Sequence, residues 1–184
     1  MFKLREHELP GLLIVEGSSF PDERGFFMES FREEDLKGSP IPHLVQENLS
    51  RSKKGVARGL HYQLAPRAVG KLVRCVRGRI LDVALDIRKG SPTYGRWAAL
   101  ELSDRGNRMF WIPPGFAHGF YALEDCDVLY KVSRYWSAEV DRGILWNDPA
   151  LGIRWPSDKA LVSAKDAALP PLAQAENNLT WTTD

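Results

Sequence analysis

The chain has 184 residues, 43% of them hydrophobic and 27% charged, with 25 Lys and Arg against 24 Asp and Glu. That is the size of one domain with a real core, and the balance is that of a soluble globular protein. A formal net charge of +1 gives no bulk attraction for nucleic acid or a membrane surface, so neither is expected as a partner.

The first apolar run, 9–15, is short, contains Pro10 and Gly11, and follows acidic residues. It reads as neither a signal peptide nor a spanning helix. Strands are expected over 12–16 and 26–31. Ser30-Phe31-Arg32-Glu33 has the capping-box pattern and opens a short helix that Gly38 ends. The segment 71–88 is the clearest strand signal. Leu81, Val83, Leu85 and Ile87 alternate with Asp82, Ala84, Asp86 and Arg88, while Arg77-Gly78-Arg79 bends the run. Further strands are expected over 96–102, 108–112, 119–122 and 127–135, with turns at Gly90-Ser91-Pro92 and Asp104-Arg105-Gly106-Asn107.

Ser163-Ala164-Lys165-Asp166 opens a second short helix before Pro170-Pro171, and residues from about 170 onward are expected to be loosely held. No repeat or linker divides the chain, so residues 1–184 read as one domain. Many short strands separated by turn residues predict an all-β sandwich or barrel of the jelly-roll kind. Cys75 and Cys126, the only cysteines, lie in apolar strand-like stretches and read as buried thiols rather than a disulfide or a metal pair. Asn178-Leu179-Thr180 matches a glycosylation sequon, but with no secretory signal it reads as chance, and a cytoplasmic location is expected.

Positive charge gathers in Arg51, Lys53, Lys54 and Arg58, and again in Arg67, Lys71, Arg74, Arg77 and Arg79. These are either solvated hairpin faces or the wall of a pocket for a small anion such as a diphosphate. Two stretches each place one histidine among polar groups: Arg58-Gly59-Leu60-His61-Tyr62-Gln63, and Ile112-Pro113-Pro114-Gly115-Phe116-Ala117-His118-Gly119. The second resembles half of a cupin metal site, in which a Pro-x-Gly turn carries a histidine into a barrel. The first stands where a metal-binding cupin would hold a His-x-His pair, but Gln63 replaces the second histidine. Two histidines without that support make a poor transition-metal site, although Asp82 is available as a third donor, and no metal or cofactor is expected.

Read in order, Asp22-Glu23-Arg24-Gly25-Phe26-Phe27, Gln46-Glu47-Asn48, the His61 stretch, Gly70-Lys71-Leu72-Val73-Arg74, the His118 turn, Tyr130-Lys131, Trp146-Asn147-Asp148-Pro149 and Ser163-Ala164-Lys165-Asp166 form one series. From about Arg24 to Asp166 this series resembles the dTDP-4-dehydrorhamnose 3,5-epimerase family. The resemblance implies a double-stranded β-helix (cupin-like) barrel with short helices near the N-terminal third and at the C-terminus. It also implies a homodimer. Its activity would be cofactor-free inversion of C3 and C5 of dTDP-4-dehydro-6-deoxy-D-glucose, giving the precursor of dTDP-L-rhamnose.

Each inversion removes a proton beside a ketone, passes through an enolate and returns a proton on the opposite face. That chemistry needs a base, an opposing acid and a cation or donor at the ketone oxygen. By resemblance His61 is the base, and free imidazole titrates at about 6.5, near working pH. Asp166 is the carboxylate that fixes its tautomer, Tyr130 is the opposing acid, and Lys71 stands by the ketone. His118 is a second pocket histidine, with Asp82 as its carboxylate support. The plainer alternatives are a hydrogen-bonded core histidine, a helix N-terminal signature at Asp166, a strand aromatic at Tyr130, a hairpin charge at Lys71, and a structural cluster under the turn.

For the nucleotide, the resemblance assigns Arg24 and Arg58 to the diphosphate, a task suited to forked guanidinium contacts. Glu29, Gln46, Asn48, Asp141 and Lys165 fall at further substrate-binding positions, as do Lys71 and His118. Tyr135 and Trp136 are the candidates for stacking the base. Trp136 stands where many relatives carry tyrosine, and Asp141 where glutamate is common. The rival readings are an epimerase that inverts only C3 or acts on another nucleotide sugar, a non-catalytic cupin that binds a sugar nucleotide, and a metal-dependent cupin oxygenase or isomerase.

Overall fold

The computed structural model describes residues 2–182. Antiparallel pairing joins β1 (Lys3–Glu6), β2 (Leu13–Glu16), β10 (Arg108–Ile112), β7 (Lys71–Arg77), β12 (Cys126–Val132) and β5 (Gln46–Ser52), in that order, into one sheet. A second antiparallel sheet runs β13 (Asp141–Gly143), β6 (Ala57–Gln63), β11 (Phe116–Ala122), β8 (Arg79–Asp86) and β9 (Trp97–Ser103). β3 (Ser19–Asp22) and β4 (Gly25–Met28) form a separate hairpin. This is the all-β jelly roll, or double-stranded β-helix, that the turn-punctuated sequence leads one to expect.

The two sheets face each other over a core built from both. Val73, Phe110 and Val128 come from one sheet and Ile80, Ala84 and Phe120 from the other, all buried together. Each sheet is also covered on its outer side. Phe2, Leu36 and Ile41 lie over Leu72 and Trp111 of the six-stranded sheet, while Leu172, Ala175 and Leu179 lie over Val83, Leu85 and Tyr62 of the five-stranded one. Apolar burial on both sides explains why all seven residues of β11 are buried.

This double cover gives the period-two segment a particular meaning. The apolar positions Val83, Leu85 and Ile87 face outward, under the C-terminal region, while Ile80 and Ala84 face the space between the sheets. Asp82 shares the inward face and meets His118 across it. The expectation that residues from about 170 are loosely held is therefore corrected for the described residues. A 3-10 turn at Leu172–Gln174, a bridge pairing Thr180 with Lys89, and Trp181 stacked on Arg88 at 4.2 Å fasten that segment. Its apolar side chains complete a core face that would otherwise meet water.

The expected capping box is also corrected. The turn is a 3-10 turn, Glu33–Leu36, with Arg32 at its N-cap and no side-chain cap bond; the Glu33 carboxylate engages the His43 ring instead. The second helix forms as expected: α1 (Ala164–Ala167) is capped by Ser163, whose Oγ accepts the Asp166 N–H at 3.0 Å. Cys75 and Cys126 are buried and free. Among the described residues no helix is long and apolar enough to cross a membrane.

Candidate active site

β6 carries Arg58 and His61, three residues apart, which a regular strand would send to opposite faces. Here the pairing of β6 with β11 steps out of register between His118 and Phe120, a bulge that turns both side chains into the same space. Glycine makes the step feasible. Gly59 has φ +118, and a Cβ there would lie 2.6 Å from the Gly119 Cα; a Cβ on Gly119 would lie 2.5 Å from the Arg58 carbonyl oxygen. The main chains approach too closely for any side chain, and His61 and His118 end up paired directly across the two strands.

Two adjoining cavities of about 420 and 280 Å³ open at this end of the barrel, sharing His61, Lys71, Tyr130 and Lys165 in their walls. His61 Nε2 lies 2.7 Å from Asp166 Oδ1, and Asp166 Oδ2 accepts the Gly59 N–H at 3.2 Å. A carboxylate only accepts, so the ring proton sits on Nε2 and Nδ1 is left to take another. Burial alone would raise the Asp166 pKa, but the bond to His61, its charge and the Gly59 N–H hold it below the usual carboxylate range. The aspartate therefore stays ionised beside the ring.

His118 repeats the arrangement deeper in the barrel, with Nε2 2.8 Å from Asp82 Oδ1. Burial depresses its basicity more than Asp82 restores it, which favours neutral imidazole. Lys71 Nζ donates to the His61 carbonyl at 3.1 Å, and burial lowers the ammonium from 10.5 to about 8 despite Asp141 and Asp82. Tyr130 is pushed upward by burial, so its phenol keeps its proton. Tyr130 and Lys71 stand on the six-stranded sheet and His61 and His118 on the five-stranded one.

At the mouth, Lys165 pairs with Asp141 at 2.8 Å, and Gln46 Nε2 donates to Asn48 Oδ1 at 2.9 Å. Arg58 is held by Ser52 Oγ at 2.9 Å and the Arg51 carbonyl at 3.0 Å. Trp136 lines the larger cavity and is 60% exposed. The structure thus gathers His61, Tyr130, Asp166, Lys71, Arg58, His118, Gln46, Asn48, Trp136, Asp141 and Lys165 around one space, with Asp82 behind His118.

Three expected residues are not brought there. Arg24 sits at the tip of the β3–β4 hairpin, paired with Asp22 at 2.6 Å, and Glu29 pairs with Arg32 at 3.5 Å; neither lines either of these two cavities. Tyr135 is 69% exposed and outside the cavity, because alternation along the chain turns Arg134 and Trp136 toward it and Tyr135 away. The expected anion wall is narrower as well. Arg74 bonds Asn107 and the Ser30 carbonyl, Arg51 pairs with Asp127, and Arg79 pairs with Glu101 and Glu124. Ser50, which the sequence reading passed over, lines the inner cavity with its Oγ buried and unpaired among the described residues. The signal for it was the period-two polar stripe Gln46, Asn48, Ser50, Ser52 on β5. Among the described residues no three His, Cys, Asp or Glu side chains cluster as metal ligands.

Residues 6–174 match the family model described as dTDP-4-dehydrorhamnose 3,5-epimerase. The chain is 52% identical over 163 residues to the dTDP-4-dehydrorhamnose 3,5-epimerase of Shigella flexneri, covering 86% of this chain and 90% of that protein. The crystal structure of dTDP-4-dehydrorhamnose 3,5-epimerase from Sulfolobus tokodaii superposes with a TM-score of 0.89 at 44% identity, covering 96% of this chain and 98% of that one. That of dTDP-6-deoxy-D-glucose-3,5-epimerase from Legionella pneumophila, in complex with dTDP-4-keto-L-rhamnose, gives 0.89 at 43% identity over 95% and 94%.

Proposed function

Because the chain belongs to the dTDP-4-dehydrorhamnose 3,5-epimerase family, we propose that it inverts C3 and C5 of dTDP-4-dehydro-6-deoxy-D-glucose, as a step of dTDP-L-rhamnose biosynthesis, using its own side chains as base and acid. One observation carries the mechanism. His61 and Tyr130 stand on opposite sheets and line the same two cavities. Facing sheets are roughly 10 Å apart, which leaves room for one sugar ring between a base on one side and an acid on the other.

His61 Nδ1 takes the proton from a carbon beside the C4 ketone, and the electron pair moves into the enolate. Asp166 stabilises the resulting imidazolium without itself taking the proton. Lys71 holds positive charge by the developing oxyanion. The Tyr130 hydroxyl then delivers a proton to the opposite face of the carbon, completing the inversion. His118, kept neutral and oriented by Asp82, hydrogen-bonds the sugar. Arg58 grips the diphosphate, Trp136 stacks the base, and Gln46, Asn48, Asp141 and Lys165 line the path between.

Arg24 and Glu29 gain a place in this scheme if the protein is a homodimer. The hairpin that carries Arg24 leaves Phe20, Phe26 and Phe27 exposed, an apolar face suited to a second copy. In the dimer it reaches into the partner's cavity. A cytoplasmic setting, where nucleotide sugars are made, fits the same reading.

The deciding experiment is NMR in D2O with chelator-treated protein and dTDP-4-dehydro-6-deoxyglucose. Deuterium entering both C3 and C5 is the expected result. Label at C3 alone would make the enzyme a 3-epimerase, and no label would remove the assigned roles for this substrate.

A further inference from the structure

Gln63, two residues past His61 on the same strand, occupies the position where a metal-binding cupin would place a second histidine. It takes no part in the proton transfers above. Its side chain is buried, 3% exposed, and points at the segment that follows β12. Oε1 accepts the Ser137 N–H at 2.7 Å, and Nε2 donates to the Arg67 carbonyl at 2.9 Å and, more weakly, to the Tyr135 carbonyl at 3.5 Å. Between Tyr135 and Ser137 stands Trp136, whose own N–H donates to Gln46 Oε1 at 3.3 Å.

The indole of Trp136 is mostly in water, so packing does not fix where it stands. Its backbone does. Three consecutive residues, Tyr135 to Ser137, have a peptide group captured by a glutamine side chain, Gln63 from one sheet and Gln46 from the other. A rigidly placed aromatic loses less freedom on stacking a base than a mobile one.

We propose that Gln63 is a positioning residue for the nucleotide: it ties the Trp136 platform to the strand that carries His61, and so sets affinity for the base end of the substrate. The inference rests on the reading that Trp136 stacks the base. It assigns Gln63 no contact with the reacting carbons.

Calorimetry with dTDP and with pyrophosphate separates the base end from the phosphate end. Trp136→Ala is expected to weaken dTDP about tenfold, the loss of one stacked base, and to leave pyrophosphate unchanged. Gln63→Met removes all three bonds and should also weaken dTDP about tenfold, with pyrophosphate again unchanged. Added to Trp136→Ala it should cost nothing further, since the two act as one unit. Gln63→Glu keeps the acceptor for Ser137 and should fall between wild type and Gln63→Met, about threefold. It also decides the matter by the same comparison if the Met variant does not fold. In turnover the loss belongs in KM rather than kcat.

Equal weakening of dTDP and pyrophosphate, additive losses in the double variant, or unchanged dTDP affinity would each overturn the proposal. A purely structural glutamine would give the first of these. If Trp136→Ala itself leaves dTDP affinity intact, the stacking assignment falls and takes this inference with it. If only the Gln63 variants fail, the stacking assignment stands.

Discussion

His61 Nε2 and Asp166 Oδ1 stand 2.7 Å apart, and the other oxygen of that carboxylate is held by the Gly59 N–H on the strand that carries His61. The aspartate is thereby fixed to the backbone beside the ring it orients. His61→Ala should abolish deuterium exchange at both carbons while leaving dTDP affinity nearly intact. Asp166→Asn keeps the shape but loses the charge, and should slow exchange by about 10²-fold or more. Exchange at the normal rate in either variant would take that residue out of the mechanism.

Tyr130 faces His61 from the other sheet, and its phenol is held protonated by burial. Tyr130→Phe should still permit proton loss at a first carbon but block completed inversion at C5. Following deuterium at C3 and C5 separately over time tests this. Normal product formation would mean that another group delivers the proton.

In the proposed mechanism Lys71 sets the alkaline limit. Its ammonium titrates at about 8, so the charge by the ketone oxygen is present below that pH and lost above it, and kcat/KM should fall as pH rises through 8. Stability moves the other way. The unfolded lysine titrates near 10.5, so between 8 and 10.5 the unfolded chain binds the extra proton and folding gains stability as pH rises. Below 8 the full cost of the buried ammonium is present. Lys71→Met should therefore be inactive yet melt above wild type at pH 7, with the gap closing toward pH 10.5. Melting curves at the two pH values check the sign.

Arg88 joins two parts of the chain. Its Nε and Nη2 donate to Asp86 at 2.9 and 2.7 Å, Nη2 also reaches the Pro10 carbonyl at 3.1 Å, and the guanidinium lies against the rings of Phe116 and Trp181. Arg88→Ala leaves Asp86 buried without its counter-charge and should cost about 3–5 kcal/mol in urea unfolding. Trp181→Ala removes one face of the stack and should cost about 0.5–2 kcal/mol.

If the β3–β4 hairpin of one copy serves the cavity of another, Arg24→Ala and His61→Ala fail in different chains of a mixed dimer. Coexpression should then restore tight substrate binding and turnover at the site built from the intact His61 and the intact hairpin. A mixture no better than the two variants kept apart would count against the shared site.

Local signals served where a strand or cap follows the ordinary pattern. The strand at 108–112 and the helix capped by Ser163 were both legible. β5 and β6 were not, because their inward faces carry Gln46, Asn48, Ser50, Arg58 and His61, and a polar interior reads as a loop. The Ser30 capping box failed because Glu33 has a competing partner in His43, 10 residues on. The last segment looked unattached because the surface that it covers, the outer face of β8, comes from sequence about 90 residues earlier. His61, Asp166 and Lys71 were singled out only through several motifs in order; no single spacing brings together side chains that are 105 residues apart in the chain. Asp22 to Gly25 carries a turn signal around Arg24, but nothing local said that this turn would stand away from the cavity.

β6 has the character of a gauge. Arg58 at one end, His61 in the middle and Gln63 at the other lie on a strand clamped on both sides, by β11 and β13. At roughly 3.3 Å per residue, less the bulge, its six residues from Arg58 to Gln63 span on the order of 15 Å. The intervals between the proposed phosphate grip, proton-abstracting histidine and platform tie are therefore set by peptide geometry and not by side-chain choice. Replacing residues at the rim can change which molecule is admitted, while the interval between its anchor and its reacting carbon stays constant. A scaffold of this kind can exchange clients without retuning its chemistry, and a single slip of that strand would disable every client at once.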